Sequence, residues 1–134
     1  MRSKSRAFEM SQFDAAFMLA TEQRVSAFLV TASPFFTGRS AQIVALAARY
    51  AMPVVYPWRE YVDAGGLMSY GTGLIWGYKL IGQYAGRILK GELPGDLPVQ
   101  QPTKFDLVIN LKTAKALGLI IPETLLATAD EVIQ

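Results

Sequence analysis

Four short apolar runs restrict what this chain can fold into. They are AFLVT (27–31), PVVY (53–56), LMSY (67–70) and FDLVI (105–109), and stretches of helical period separate them. AFLVT has no polar alternation, which suits a strand covered on both faces by helices. Strands alternating with helices predict an α/β fold with a mostly parallel sheet. The expected form is a three-layer helix/sheet/helix domain.

The helices between the runs carry their own signals. Met10, Phe13, Phe17 and Ala20 recur at spacings of three and four, which predicts a helix over 10–23 with Ser11 as its cap. Ser33 followed by Pro34 reads as a cap and first helical position, with Thr37 a rival start. That helix is expected to run to about Ala51, burying Ile43, Val44, Leu46, Ala47 and Tyr50. Residues 58–62 read as one helical turn closed by Gly65 and Gly66. The longest helix is expected over 73–89, stopped at Gly91. The three prolines of ELPGDLPVQQP (92–102) mark a surface crossing. Asn110 can cap a short helix over 111–117, ended by Gly118, and the closing TADEVIQ (128–134) reads as helical.

The 73–89 segment is apolar on more than one side. Leu74, Tyr78, Ile81, Ala85 and Ile88 form one face, and Trp76, Leu80 and Tyr84 a second. Gly77, Gly82 and Gly86 lie inside it, each costing up to about 1 kcal/mol against alanine. Either close packing on several sides offsets that cost, or this is a core helix that tolerates its glycines.

Residues that are absent exclude whole chemistries. Without cysteine or histidine there is no disulfide, no catalytic triad of the serine-histidine type and no ordinary zinc site. No EF-hand spacing, GxGxxG or phosphate-binding loop occurs, so no metal and no cofactor is expected, and a flavodoxin-like enzyme or switch ranks low. Glu60 and Asp63 are close in sequence, but nothing places them in one cleft as an acid/base pair. The formal charge of +2 resides in Arg2, Lys4 and Arg6. Residues 1–9 are expected to be a disordered basic tail. Without those three cations, ten bases face eleven acids, and no basic stripe remains for nucleic acid. The opening residues lack the apolar core of a secretion signal. The 73–89 segment carries Lys79 and Arg87 and falls short of the roughly 20 apolar residues of a membrane span.

Two long blocks carry a resemblance. AFLVTASPFFTGRSAQIVALAARYAMPVVYPWREYVDAGGLMSYGTG resembles the ABC transporter substrate-binding proteins of the type I periplasmic-binding fold. GRILKGELPGDLPVQQPTKFDLVINLKTAKALGLIIPETLLATADEVIQ is similar to that family's carboxyl terminus, through QPTKF, INLKTAKALGL and ADEVI. The match covers roughly residues 9–134. The resemblance implies two α/β lobes closing on a small solute, delivery to a membrane permease with an ATPase, and a periplasmic setting. It implies that residues 10–134 are the carboxyl-terminal lobe. Residues 67–91 would cross the hinge, and the long helix would sit in the amino-terminal lobe. Full members carry a signal and a complete first lobe ahead of this point, so this chain reads as truncated.

In open α/β sheets, ligands gather where strands end and helix amino termini begin. Three segments fit. Ser33 offers a hydroxyl and Phe35 or Phe36 an apolar wall, against the plainer reading of a cap and core rings. Tyr56, Trp58, Arg59 and Glu60 form the most loaded stretch: a stacking face, a base for a carboxylate and an acid for an amine. The plainer reading is a surface ion pair beside a packed tryptophan. Ser69 and Tyr70 lie at the predicted lobe crossing, suited to a ligand contact or to hinge packing.

The expectation is a binding module and not an enzyme: the solute receptor of an importer, taking a small organic metabolite such as an amino acid or aromatic compound. The alternative is a ligand-incompetent fragment persisting as a homo-oligomer through the 73–89 helix.

Overall fold

The computed structural model describes residues 2–134, with side chains described from residue 12 onward. The basic stretch 1–9 and the Met10 side chain therefore lie outside the described side chains. A five-stranded sheet in the order β1 (Phe28–Leu29), β2 (Val54–Tyr56), β3 (Met68–Gly71), β4 (Asp106–Asn110), β5 (Glu131–Ile133) organises the rest. All neighbouring pairs are parallel except β3 with β4, which run antiparallel. Helices flank the sheet, so the expected α/β class with a mostly parallel sheet is what the chain adopts.

Local chemistry explains most boundaries. Helix α1 (Arg2–Glu22) starts before Ser11, which therefore stands inside the helix and not at its cap. Phe17 and Ala20 of α1 are buried. The single helix expected from Ser33 to Ala51 is two: α2 (Pro34–Thr37) and α3 (Ser40–Arg49), broken at Gly38 and Arg39. Ser33 does cap α2, accepting from the Phe35 N–H at 3.3 Å, with Pro34 in the first turn. Helix α3 buries Ile43, Val44 and Ala47, while Leu46 and Tyr50 pack partly buried beside them. Helix α4 (Arg59–Asp63) buries Tyr61 and Val62. Asn110 caps α6 (Leu111–Ala116) by accepting from the Thr113 N–H at 3.1 Å. Thr113 in turn donates to the Gly65 carbonyl at 2.9 Å, tying α6 to the α4–β3 turn.

One expectation fails at the carboxyl end. TADEVIQ is not helical: α7 (Glu123–Thr128) ends at its first residue, and Glu131–Ile133 forms β5 beside β4. Three residues are too few to show a period of their own. Pairing decides the outcome: Val108 to Asn110 register with Glu131 to Ile133, and Asp130 donates its N–H to the Leu107 carbonyl.

The core joins α1, α3, β2 and α4 through Phe17, Ile43, Val44, Ala47, Val54, Tyr56 and Tyr61. Tyr56 and Tyr61 stack with centroids 4.7 Å apart. A Cβ on Gly66 would lie 2.6 Å from the Tyr56 ring and 2.7 Å from the Tyr61 carbonyl, so only glycine lets the chain pass behind this pair. Helix α5 (Leu74–Leu89) buries none of its 16 residues, nor do the short helices α2 and α7 bury any, whereas α3 buries a face. Tyr84 on α5 donates to the Pro98 carbonyl, and Arg87 pairs with Glu92.

The Tyr56 hydroxyl is buried without a hydrogen-bond partner among the described residues. Such a group costs about 1–3 kcal/mol. Replacing Tyr56 by Phe is therefore expected to leave stability unchanged or raise it by about 1 kcal/mol in urea unfolding. Burial also raises the Tyr56 phenol well above its ordinary 10.0, so the folded chain holds that proton where the unfolded chain releases it. Stability should accordingly fall as pH climbs above 10.0, and fall less steeply in Tyr56→Phe.

Candidate functional site

A cleft of about 350 Å³ opens along one edge of the sheet, at the carboxyl ends of β2 and β3. The antiparallel turn of the sheet makes this edge unusual. Because β4 runs against β3, and β5 beside β4, the starts of β4 and β5 stand next to the end of β3. Pro57, Arg59 and Glu60 enter from the β2–α4 junction, and Ser69 and Gly71 from β3. Thr72 to Ile75 come from the start of α5, Lys104, Asp106 and Val108 from β4 and its approach, and Asp130 and Glu131 from the start of β5.

Ion pairs organise the charged side. Arg59 grips Glu131 with two donors, at 2.9 and 3.2 Å, and reaches Asp63 at 3.3 Å. These carboxylates hold its guanidinium firmly charged, Asp63 contributing most. Lys104 pairs with Asp106 at 2.8 Å, which raises the lysine above its ordinary range. Asp130 accepts the Leu107 N–H at 2.8 Å. These groups are at least a third exposed, so solvent screens each pair and it contributes little to stability. They fix direction: α4 and β5 are clamped across the mouth. The lining holds two bases against four acids, an excess of negative charge.

The other wall is polar and neutral. Ser69 is 1 % exposed, and its hydroxyl has no partner among the described residues. Helix α5 begins at Gly73 with no side-chain cap. A Cβ on Gly71 would collide with the Pro57 carbonyl oxygen, so glycine is what lets the β2–α4 loop lie against the end of β3.

Of the sequence-derived candidates, Arg59, Glu60 and Ser69 share this cleft. The rest lie elsewhere. Ser33 caps α2, and Phe35 lies under Arg39, whose guanidinium sits 4.0 Å from the ring centroid. Phe36 lines a separate apolar groove with Phe13, Phe17 and Phe28. Tyr56 is in the core, and Trp58 packs half-buried against it. Tyr70 is exposed on the opposite face from Ser69, stacked on Phe105 at 5.7 Å. Gly71 and Thr72 fall in the 69–72 candidate segment, whereas sequence reasoning missed Gly73 to Ile75, Lys104, Asp106, Asp130 and Glu131. The acids of 128–134 reach the cleft only because that segment is a strand. Among the described residues no cluster of acids has the arrangement to hold a metal ion. No helix among them is long and apolar enough to cross a membrane.

Residues 9–133 match the model of the ABC transporter substrate binding protein family. The chain belongs to that family. No curated protein matches it. Among solved structures it is similar to an ABC domain from Streptococcus pneumoniae crystallised in complex with L-Trp, at 27% identity and a TM-score of 0.81, covering 92% of this chain and 43% of that one. It is also similar to a conserved domain protein from Vibrio cholerae, at 28% identity and a TM-score of 0.77, covering 92% and 41%. A substrate-binding protein with adhesive properties from Clostridium difficile shares the fold, at 22% identity and a TM-score of 0.57, covering 93% and 41%. The chain thus spans about two fifths of the length of the solved structures it matches.

The tight approach at Gly71 is testable. Gly71→Ala should force the Pro57 loop away, at a cost of about 1–3 kcal/mol in chemical denaturation. A variant as stable as the parent would show that the close approach carries no constraint.

Proposed function

We propose that this member of the family serves as the solute-binding part of an ABC importer, taking a small organic metabolite of the amino-acid or aromatic class. One observation supports this above the others. A family built to bind solutes here presents a cleft at a sheet edge, lined by Arg59, Glu60, Ser69 and an uncapped helix amino terminus. The L-Trp complex of the Streptococcus pneumoniae relative favours the amino-acid class. On this reading the solute is held and handed to a permease on the outer side of the membrane, and no bond is made or broken.

Helix α5 has a part in the same reading. Its apolar residues face outward on several sides, with Ile75, Tyr78, Ile81 and Leu89 all largely exposed. A helix apolar all round is normally a buried one. On this reading α5 packs against a second lobe that completes the cleft, and residues 67–91 cross towards it. The same exposure favours a second reading, in which another copy of the chain covers α5. Light scattering at micromolar concentration separates the two, since a monomer removes the oligomer.

Isothermal calorimetry against a panel of L-amino acids and aromatic acids and amines tests the receptor reading. At least one solute should bind in the micromolar range, roughly −8 kcal/mol. Absence of heat across the whole panel at millimolar concentration would overturn it. Trp58→Ala serves as a control, and its affinity should match the parent because Trp58 packs on the core and not in the cleft.

A further inference from the structure

The sheet ends at β1, and that edge is open. Among the described residues β1 has β2 as its single neighbour. Phe28 donates its N–H to the Pro53 carbonyl at 2.9 Å, and Val30 its own to the Val55 carbonyl at 3.0 Å. Backbone groups alternate sides along a strand, so the N–H and C=O of Leu29 point away from β2. Proteins usually protect such an edge with charge, proline or a covering element. The far edge follows that rule, since Asp130 and Glu131 stand at the start of β5. The β1 edge does not: no residue from Val25 to Phe36 is charged. Both faces of the edge are apolar. On one, Phe28 packs edge-on against Phe17 with centroids 5.0 Å apart, and Val30 lies with it on the core. Beside them runs a groove of about 370 Å³ that Phe13, Ala16 and Phe36 also line. On the other face Leu29 is 73 % exposed.

We propose that a second copy of this chain covers this edge, its β1 running antiparallel to the first about a two-fold axis through Leu29. A two-fold interface joins identical surfaces, so the patch must be complementary to itself. This one is. Leu29 of each copy exchanges both backbone hydrogen bonds with Leu29 of the other. Directly opposed residues of an antiparallel pair share a face, so the two exposed leucine side chains cover one another. On the groove side Phe28 of each copy meets Val30 of the other, an aromatic and β-branched pair of the kind that stabilises sheets. A charged or alternating strand would set a polar group over Phe28 or Leu29, and the chain's own β1 sets none. No cleft residue comes from positions 1–56, so this dimer leaves the cleft open. It also leaves α5 free, and does not depend on the receptor reading.

Sedimentation velocity on the full chain tests the seam. At about 100 micromolar the parent should sediment as a dimer. Mass alone does not locate the contact, because α5 is a rival surface, so paired variants do. Leu29→Lys opposes two like charges and removes the shared apolar contact, which should raise the dissociation constant at least about tenfold. Leu29 is largely exposed in a single copy, so the variant should keep the parent's circular dichroism. Ile81→Lys, on the exposed surface of α5, should leave the dimer intact. A second measurement does not rely on the lysine variants. The chain has no cysteine, so Leu29→Cys supplies one thiol per copy. A short bismaleimide should link that variant into a covalent dimer and leave Ile81→Cys unlinked. The proposal falls if the parent is monomeric, if Leu29→Lys remains dimeric, or if Leu29→Cys fails to cross-link. Dissociation by Ile81→Lys moves the contact to α5 and overturns it as well. None of these failures touches the receptor reading, which rests on solute binding.

Discussion

Four residue pairs hold the two parts of this molecule together. Met68 to Gly71 lie antiparallel against Ile109 to Asp106, and the chain between them leaves the sheet entirely. Everything after residue 105 depends on that pairing. It seats Ile109 and Val108 in the interior and gives β5 its parallel neighbour. Through β5 it brings Asp130 and Glu131 to the edge where Arg59 waits. An all-parallel continuation would have put the start of β4 at the far edge, and the cleft would have kept only Glu60 of its acids.

The cleft is thus a product of direction as much as composition. Parallel strands β1 to β3 send their carboxyl ends to one edge, and the reversed pair β4 and β5 send their amino ends to the same edge. Arg59 and Glu131 are distant in the chain and face each other only because of this reversal. Their bidentate pair is weak as a source of stability at this exposure, but it orients.

Helix α5 stands apart from the economy of the rest. The other long helices bury a face, whereas this one buries none, although its sequence is apolar around much of its circumference. Its glycines meet nothing within 4 Å. Within this chain they have no packing role, which agrees with a helix whose partners lie in the larger proteins the family comprises.

Much of the fold was legible because it is local. Apolar runs bounded by proline and glycine located β1 to β4. Ser33 with Pro34 and Asn110 located helix starts, and family blocks such as INLKTAKALGL identified the fold. These signals act over a few residues, where capping and periodicity dominate. The helix break at Gly38 and the strand at 131–133 were not legible, since each answers to neighbours distant in sequence. For the site, Arg59, Glu60 and Ser69 could be named because strand ends are predictable. Tyr56 and Trp58 look equally suited to a ligand in sequence, and only packing shows that their rings serve the core. Sequence alone determined the fold class, the family and the absence of histidine and cysteine chemistry. The tertiary structure decided which polar groups share one cleft, because that depends on the direction of β4, and direction is set by long-range pairing that no local pattern encodes.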